Sequence, residues 1–203
     1  MPPKTYKPSQ QTKTNIIQKA IELFNEHGTA AISLNSLAEA LGISAGNLQY
    51  HYRSKEEIVR AIFEVMFKDW NTVYQEIDTE SFSMDTLRCA LRLNFSLVWK
   101  YRFFYRELNA LLRNDEALAK RYAAIQEQRL VEQARLTKQI AGASGVRLAS
   151  RSELRNLVLI GWVLGNSWLS YMESTGCAVD ETTLDDAAEM LMQHYKPYLE
   201  KTT

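Results

Sequence analysis

The amino-acid sequence predicts an all-α fold of about nine helices. Its prolines are Pro2, Pro3, Pro8 and Pro197, so no proline blocks a helix between residues 9 and 196. Apolar residues recur at three- and four-residue spacing over long stretches, and capping residues precede several of them. Clusters of turn residues are few, which argues against a β-sandwich or a barrel.

Composition and charge indicate an ordinary globular chain. It has 203 residues, 46% of them apolar, with 24 Lys and Arg against 24 Asp and Glu. Such a length can bury a core without metal or disulfide staples, which disfavours disordered, collagen-like and small disulfide-rich classes. The N-terminus lacks the apolar region of a signal peptide, and polar residues interrupt the most apolar window, residues 154–172. Because Cys89 and Cys177 lack metal-ligand spacing, we expect a cytoplasmic protein without membrane, metal or cofactor.

The first quarter of the chain predicts an arm and three helices. Residues 1–11 form a flexible basic arm, and residues 12–27 form an amphipathic helix that Gly28 ends. Two short helices follow, over residues 34–41 and 44–52.

The remaining helices are predicted from caps and breaks. Ser54 and Glu57 form a capping box that opens a long helix, whose apolar stripe runs from Ile58 to Ile77. The later elements are a helix over 84–112 with a bend at 101–103, a helix over 115–140 capped by Asn114, a loop at 142–145, a helix over 150–174 opened by a Ser150–Glu153 capping box, and a last helix over 183–200.

The segment from residue 34 to residue 52 has the spacing of a helix-turn-helix. That motif needs a small residue where the helices cross, a turn residue that tolerates positive φ, and an apolar anchor on the second helix; Ala38, Gly42 and Leu48 supply them. Ser33 is placed to cap the first helix. The spacing alone leaves an ordinary helical hairpin as an alternative.

The second helix of this segment carries small or uncharged polar residues, which we expect to face solvent, where a structural surface helix more often carries Glu and Lys. Asn and Gln can pair with adenine edges, and small residues let the backbone approach the major groove. Tyr, His and Lys suit phosphate oxygens. The predicted DNA-contacting residues are Ser33, Ser44, Ala45, Asn47, Gln49, Tyr50, His51 and Lys55.

The run over residues 32–63 resembles the DNA-binding domain of the tetracycline-repressor (TetR) family. Gln49 and Tyr52 depart from the family pattern, where Tyr and Phe are more usual. The features shared with the family are Ala38, Gly42, Ser44, Leu48, the Tyr50-His51-Tyr52 ending and Ser54-Lys55-Glu56-Glu57.

The resemblance implies an all-helical, homodimeric transcription regulator without enzymatic activity. Three N-terminal helices would bind double-stranded DNA at a near-palindromic operator, and a larger C-terminal region would dimerise and bind a small inducer. We therefore expect a DNA-binding domain over residues 12–53 and a ligand-binding and dimerisation domain over residues 54–203. Repression is the commoner output of the family.

The charge distribution agrees with this division. Residues 1–55 carry six Lys or Arg against three Glu, a balance of +3, which leaves −3 for the remainder of a neutral chain. A positive segment is the electrostatic footprint of a nucleic-acid-binding domain.

The last two predicted helices have apolar surfaces that fit dimerisation. Residues 157–164 are apolar nearly all round, and Gly161 and Gly165 share a face that permits close helix approach. A buried core within one chain is the alternative. The predicted interface residues are Leu157, Gly161, Gly165, Trp168, Leu184, Ala188, Leu191 and Tyr195.

Aromatic residues of the C-terminal region are candidates for lining a ligand cavity. Aromatic positions at helical spacing are more often plain core, and this alternative stays open. We expect a mostly apolar inducer with a few polar anchors. The candidate ligand-binding residues are Trp70, Trp99, Phe103, Phe104, Leu108, Tyr122, Arg129, Trp162 and Asn166.

Motifs of catalysis are lacking in the sequence. There is no Gly-x-Ser-x-Gly elbow, no His-Glu-x-x-His pair and no glycine-rich phosphate loop. The alternative to a DNA-binding regulator is a helical adaptor that binds only protein partners.

Overall fold

The all-α prediction is confirmed by a computed structural model that describes residues 10–75, 83–143 and 150–199. Every regular element in these ranges is a helix. In chain order they are α1 Gln10–Ala31, α2 Leu34–Ala40, α3 Ala45–His51, α4 Lys55–Gln75, α5 Met84–Lys100, α6 Arg102–Asn114, α7 Glu116–Ala143, α8 Arg151–Ser174 and α9 Glu181–Leu199. The predicted basic arm up to residue 9, Ile77 and residues 144 and 145 lie outside the described residues. Residues 142 and 143, which the sequence placed in a loop, still belong to α7.

The chain divides into two compact units, Met1–Phe67 and Lys68–Thr203. The division falls inside α4 and not at residue 53, where the sequence placed it. The first turns of α4 belong to the N-terminal unit because Ile58, Ile62 and Phe63 are buried there.

Side-chain caps set several helix starts within one residue of the predicted positions, and the cap at Ser44 was not predicted. Ser33, Ser44 and Ser150 each accept a hydrogen bond from the backbone N–H three residues ahead, at 3.1 Å. The break between α5 and α6 at Tyr101 confirms the predicted bend. Because a cap needs only residues adjacent in sequence, these features can be predicted without knowledge of the fold.

Three predicted helix starts need correction. Asp115, not Asn114, caps α7, because its Oδ1 accepts from the N–H of Leu118 at 3.0 Å while Asn114 still belongs to α6. Helix α9 begins at Glu181, two residues early, because Asp180 Oδ1 accepts from the N–H of Thr183 at 2.9 Å.

The third correction concerns the capping box at α4. Ser54 caps the helix as predicted, since its Oγ accepts from the N–H of Glu57 at 3.3 Å. The carboxylate of Glu57, however, accepts from the N–H of Arg53 at 2.8 Å. The second hydrogen bond of the capping box therefore comes from Arg53, one residue before the N-cap, and not from the N–H of Ser54 itself.

The C-terminal unit has its main core between α5, α8 and α9. Phe95 of α5 packs edge-on against Trp168 of α8, with ring centroids 5.0 Å apart. Ion pairs of Arg92 with Glu181 and Asp185 join the exposed edges of α5 and α9. The buried residues of this cluster are Phe95, Val98, Trp168, Leu169, Leu184, Ala187, Ala188 and Leu191.

The predicted dimer-interface residues are covered within the chain, as the intrachain-core alternative expected. Their side chains pack between α8, α9 and α5, so they leave little surface for a second subunit. Tyr195 is half-buried, and its hydroxyl lies directly over Gly161. The residues concerned are Leu157, Gly161, Gly165, Trp168, Leu184, Ala188, Leu191 and Tyr195.

The exposed apolar residues of α8 are different ones. Leu159, Ile160, Val163 and Tyr171 lie at helical spacing on the opposite face, and Val163 and Tyr171 are 52% and 64% exposed. Periodicity identified α8 as apolar nearly all round but could not tell which face its own chain covers.

Gly161 and Gly165 give a matched test of the α8–α9 packing. A Cβ at Gly161 would clash with the Tyr195 Oη, whereas one at Gly165 would lie 3.9 Å from the nearest atom, Leu191 Cδ1. We predict that Gly161→Ala lowers the free energy of unfolding by about 1–3 kcal/mol through overpacking. Gly165→Ala should raise it by about 0.5–1 kcal/mol, because alanine favours the helix.

Thermal or denaturant unfolding of the two variants measures this difference. In a Tyr195→Ala background the Gly161→Ala change should lose its penalty. Equal shifts for both glycine variants would contradict the close approach of Tyr195.

Candidate nucleic-acid interface

Helices α2 and α3 form a helix-turn-helix around a tight glycine turn. Gly42 has φ of +66°, a conformation that residues with a Cβ rarely adopt. The N–H groups of Gly42 and Ile43 donate to the carbonyls of Glu39 and Ala38, each at 3.0 Å. Ala38 and Leu48 are buried, at 1% and 0% exposure, as the motif requires. The predicted roles of Ala38, Gly42 and Leu48 are confirmed.

Ser33 and Ser44 hold the starts of the two short helices. Ser33 forms a reciprocal capping box with Ser36, whose Oγ accepts from the N–H of Ser33 at 2.9 Å. Ser44 caps α3 through the N–H of Asn47. Both serines are exposed, so a structural role as caps does not remove them from the surface predicted to meet DNA.

The exposed face of α3 consists of Gly46, Gln49 and Tyr50. These positions are three and four residues apart and therefore share one side of the helix, with Ala45 and Asn47 half-buried beside them. Tyr50 is 57% exposed. This face carries no charged side chain, which agrees with the prediction for a helix that reads base edges.

Gly46 is a member of this face that the sequence analysis did not single out. A Cβ at this position would meet no atom within 4 Å, so the unit itself does not require glycine there. An exposed glycine without a packing role lets the backbone come close to a partner surface. Its place between Ala45 and Asn47 was the signal that could have identified it.

His51 does not face solvent, so the prediction of its exposure is wrong. It is 8% exposed, because the last turn of α3 directs it inward together with Leu48. Neither ring nitrogen has a hydrogen-bond partner among the described residues. Burial, and secondarily the positive charge of Lys13, lower the pKa of His51 below its ordinary value.

Lys55 has a structural role besides the predicted phosphate contact. Its Nζ donates to the carbonyl oxygens of Thr29 and Ile32, at 2.5 and 3.2 Å, where the chain leaves α1. These acceptors lie 26 and 23 residues away in sequence, so no local pattern could reveal them. The contact of Lys55 with DNA stays a prediction.

The buried His51 should make the N-terminal unit sensitive to acid. Because the folded-state pKa lies below the ordinary value, the unfolded chain takes up the proton first as pH falls. Stability is therefore complete above about pH 6.5 and decreases as pH falls from there toward the lowered folded-state pKa. Hydrogen exchange of the α3 amides, compared at neutral and mildly acidic pH, measures this loss of stability.

A pair of variants separates His51 from general acid effects. His51→Phe should remove much of the acid sensitivity, whereas His27→Gln on the exposed side of α1 should leave it unchanged. An unaltered pH dependence in His51→Phe would show that the histidine is not the responsible group.

Several candidate ligand-binding residues pack against other side chains of the C-terminal unit. Trp70 and Trp99 pack against the α5–α8–α9 core, whereas Phe104 packs against Tyr122 between α6 and α7, with centroids 6.2 Å apart. Phe103 is fully buried, and Leu108 and Trp162 are half-buried. The ligand role of these residues stays a prediction.

The two polar anchors of the ligand prediction have partners within the chain. Asn166 donates through Nδ2 to the carbonyl of Trp162, one turn earlier in α8, at 2.9 Å. Arg129 is 4% exposed and bonds to Glu132 and to Asn71. Arg129 is therefore an interior residue whose charge is compensated by a neighbouring carboxylate.

No helix within the described ranges is long and apolar enough to cross a membrane.

Helices α2 and α3 are joined by a tight turn at Gly42, their exposed face is uncharged, and a separate helical unit follows them. This combination defines the class of helix-turn-helix regulators. The family model described as "Bacterial transcriptional repressor" matches residues 65–203, and the model described as "Bacterial regulatory proteins, tetR family" matches residues 16–62. The chain belongs to the TetR family.

Solved structures share the fold over nearly the whole chain. A TetR-family transcriptional regulator from Marinobacter aquaeolei has a TM-score of 0.83 at 26% identity, covering 93% of this chain and 91% of that one. A TetR transcription regulator from Haloarcula marismortui has a TM-score of 0.73 at 14% identity, covering 94% of this chain and 99% of that one. The second likeness concerns the fold alone.

Sequence relatives match over shorter stretches. The transcriptional regulator AcrR of Shigella flexneri is 31% identical over 62 residues, which are 30% of this chain and 29% of that protein. The transcriptional regulator TtgR of Pseudomonas putida is 27% identical over 90 residues, which are 44% of this chain and 42% of that protein. The chain therefore spans less than half the length of these relatives.

Proposed function

We propose that the protein is a homodimeric transcriptional repressor that binds a near-palindromic operator and leaves it when a small molecule binds. The observation that carries the DNA-binding part is the exposed face of α3, held by the Ser44 cap and by the buried Leu48. Membership of the TetR family supports the regulatory role. The excess of positive charge in residues 1–55 supports the choice of DNA as partner.

The exposure of each side chain indicates which residues are suited to contact bases and which are suited to contact phosphates. Gln49 lies on the exposed face and is suited to a base edge, whereas Tyr50 and Ser33 are suited to phosphate oxygens. Asn47 and Ala45 flank this face and complete the contact surface. His51 supports α3 from beneath and does not contribute its ring to this surface.

The proposed dimer surface is the exposed face of α8, defined by Leu159, Ile160, Val163 and Tyr171. An exposed apolar row of this length is typical of a surface that another molecule covers. Met190 of the neighbouring α9 is also exposed. A second copy fits because two-fold contact places the same apolar row opposite itself.

Selection from random duplexes tests the DNA-binding proposal. We expect enrichment of a near-palindromic site, since a two-fold dimer presents two copies of α3 about 34 Å apart or a multiple of one helical turn. Affinity should fall steeply as salt rises, because phosphate contacts release counterions. Binding to no duplex at low salt would instead support the protein-interaction adaptor.

Gln49→Ala should relax sequence preference at one base pair of each half-site. The expected loss of discrimination is about 1–3 kcal/mol, with an unchanged salt dependence because no phosphate contact is removed. Competition binding between the selected site and single-base variants measures it. Gln18→Ala, at an exposed position of α1, is the matched control. The same loss in both variants would contradict a base-reading role.

Val163→Asp should convert the dimer to a monomer. A carboxylate on the α8 face would be desolvated opposite its own symmetry mate, so we expect dimer affinity to fall by at least about tenfold. Sedimentation at several protein concentrations measures the change. Val131→Asp, at an exposed valine of α7, is the control and should leave assembly unaltered. A Val163→Asp dimer as tight as wild type would place the interface elsewhere.

A further inference from the structure

Helix α7 directs a row of polar side chains into the C-terminal unit. Tyr122, Gln126, Arg129 and Gln133 are spaced by four, three and four residues, so they share one face of the helix. Arg129 is buried, and the side-chain Oε1 of Gln126 is also shielded from solvent. An inward helix face is ordinarily apolar, so this row calls for a physical reason.

The charge in this row is balanced by its neighbours. Arg129 Nη1 donates to Glu132 Oε2 at 3.1 Å, and Nη2 donates to Asn71 Oδ1 of α4. The guanidinium and the carboxylate together carry no net charge. The row therefore does not attract a ligand by a net positive or negative charge.

Gln126 has a side-chain hydrogen-bonding atom that is unused. Its Oε1 has no hydrogen-bond partner among the described residues, although it is buried. A buried carbonyl oxygen without a donor is costly, and native proteins rarely retain one without a use. Because this oxygen can only accept, the group that satisfies it must be an N–H or O–H donor.

The surroundings of Gln126 on one side are aromatic. Tyr122 lies one turn earlier on the same face of α7 and contacts Phe104 of α6, with ring centroids 6.2 Å apart. Tyr122 is half-buried, and burial raises the pKa of its hydroxyl. A ligand with an apolar body beside Tyr122 and a hydrogen-bond donor at Gln126 would match this region.

We propose that α7 contributes to a binding site for a neutral small molecule that carries a hydroxyl group on an aromatic or aliphatic body. The hydroxyl donates to Gln126 Oε1, and the body packs beside Tyr122. This inference rests on the proposed function, because it assigns a chemical class to the ligand of a ligand-responsive regulator. It replaces the expectation of a mostly apolar ligand with a requirement for one donor at a defined atom.

Three probes that differ in one group test the requirement: para-ethylphenol, para-ethylanisole and ethylbenzene. Calorimetric titration of the full chain should show that the phenol binds at least about tenfold more tightly than the ether, which has lost the donor. Gln126→Met should abolish this difference. Gln139→Met, at an exposed glutamine of the same helix, should preserve it.

The Gln126→Met variant without any probe gives a second readout. Its midpoint of thermal unfolding should rise, since an unsatisfied buried oxygen is replaced by a thioether of similar size. A lowered midpoint would contradict the unpartnered state of this oxygen. Equal affinity for phenol and ether, a preference that persists in Gln126→Met, or binding of none of the probes would each overturn the proposal.

Duplex binding without probe separates this inference from the proposed function. A chain that binds its selected duplex but shows no phenol preference retains the proposed function and loses the ligand assignment. A chain that prefers the phenol through Gln126 but binds no duplex retains the site and loses the repressor assignment.

Discussion

Helix α8 is apolar on nearly all sides, but the rest of its own chain covers only one of its faces. The organisation of the C-terminal unit follows from this constraint. Its inner face, with Leu157, Gly161 and Trp168, is buried against α5 and α9. Its outer face, with Val163 and Tyr171, is exposed over several turns. Burial of apolar surface is the main driving force of association, so a helix of this kind favours a partner on its open side.

The inner face of α8 allows that arrangement because it is tightly held within the chain. Gly161 lets the Tyr195 hydroxyl approach the helix backbone, and His194 Nε2 lies 2.9 Å from the Leu157 carbonyl oxygen. Ion pairs of Arg88 and Arg92 with acidic residues of α9 add specificity at the solvent edge, where each contributes little to stability. A rigidly packed inner face keeps the outer face in one geometry.

The constraint on the N-terminal unit is different, because a helix of only two turns must be held in one orientation. An isolated helix of seven residues is not stable, so α3 depends on its cap, on the turn at Gly42 and on buried contacts. Ser44 fixes the start, while Leu48 and His51 fix the inward side. The side that remains exposed is small and uncharged, which suits contact with base edges more than a solvated surface.

Features set by neighbouring residues could be predicted from the sequence, and features set by distant residues could not. The Ser33, Ser44 and Ser150 caps and the Gly42 turn each depend on a few consecutive residues. By contrast, the acceptors of Lys55 lie more than twenty residues away.

Helical periodicity also depends only on neighbouring residues, so it cannot show which face of a helix is buried in the fold. It showed that α8 is apolar all round but not which side its own chain covers, so buried residues were assigned to the dimer surface. It also placed His51 with the exposed residues, because tertiary packing decides which side of α3 is buried. The inward polar row of α7 was likewise recognisable only once the helix packing was known.

We propose that two copies of this chain act together on one DNA site. Native mass spectrometry of the full chain with its selected duplex tests it directly. We expect complexes that contain the chain in pairs on each duplex, with single occupancy nearly absent even when DNA is in excess. A single chain bound stably to a half-site duplex, with an affinity equal to that for the full site, would contradict it.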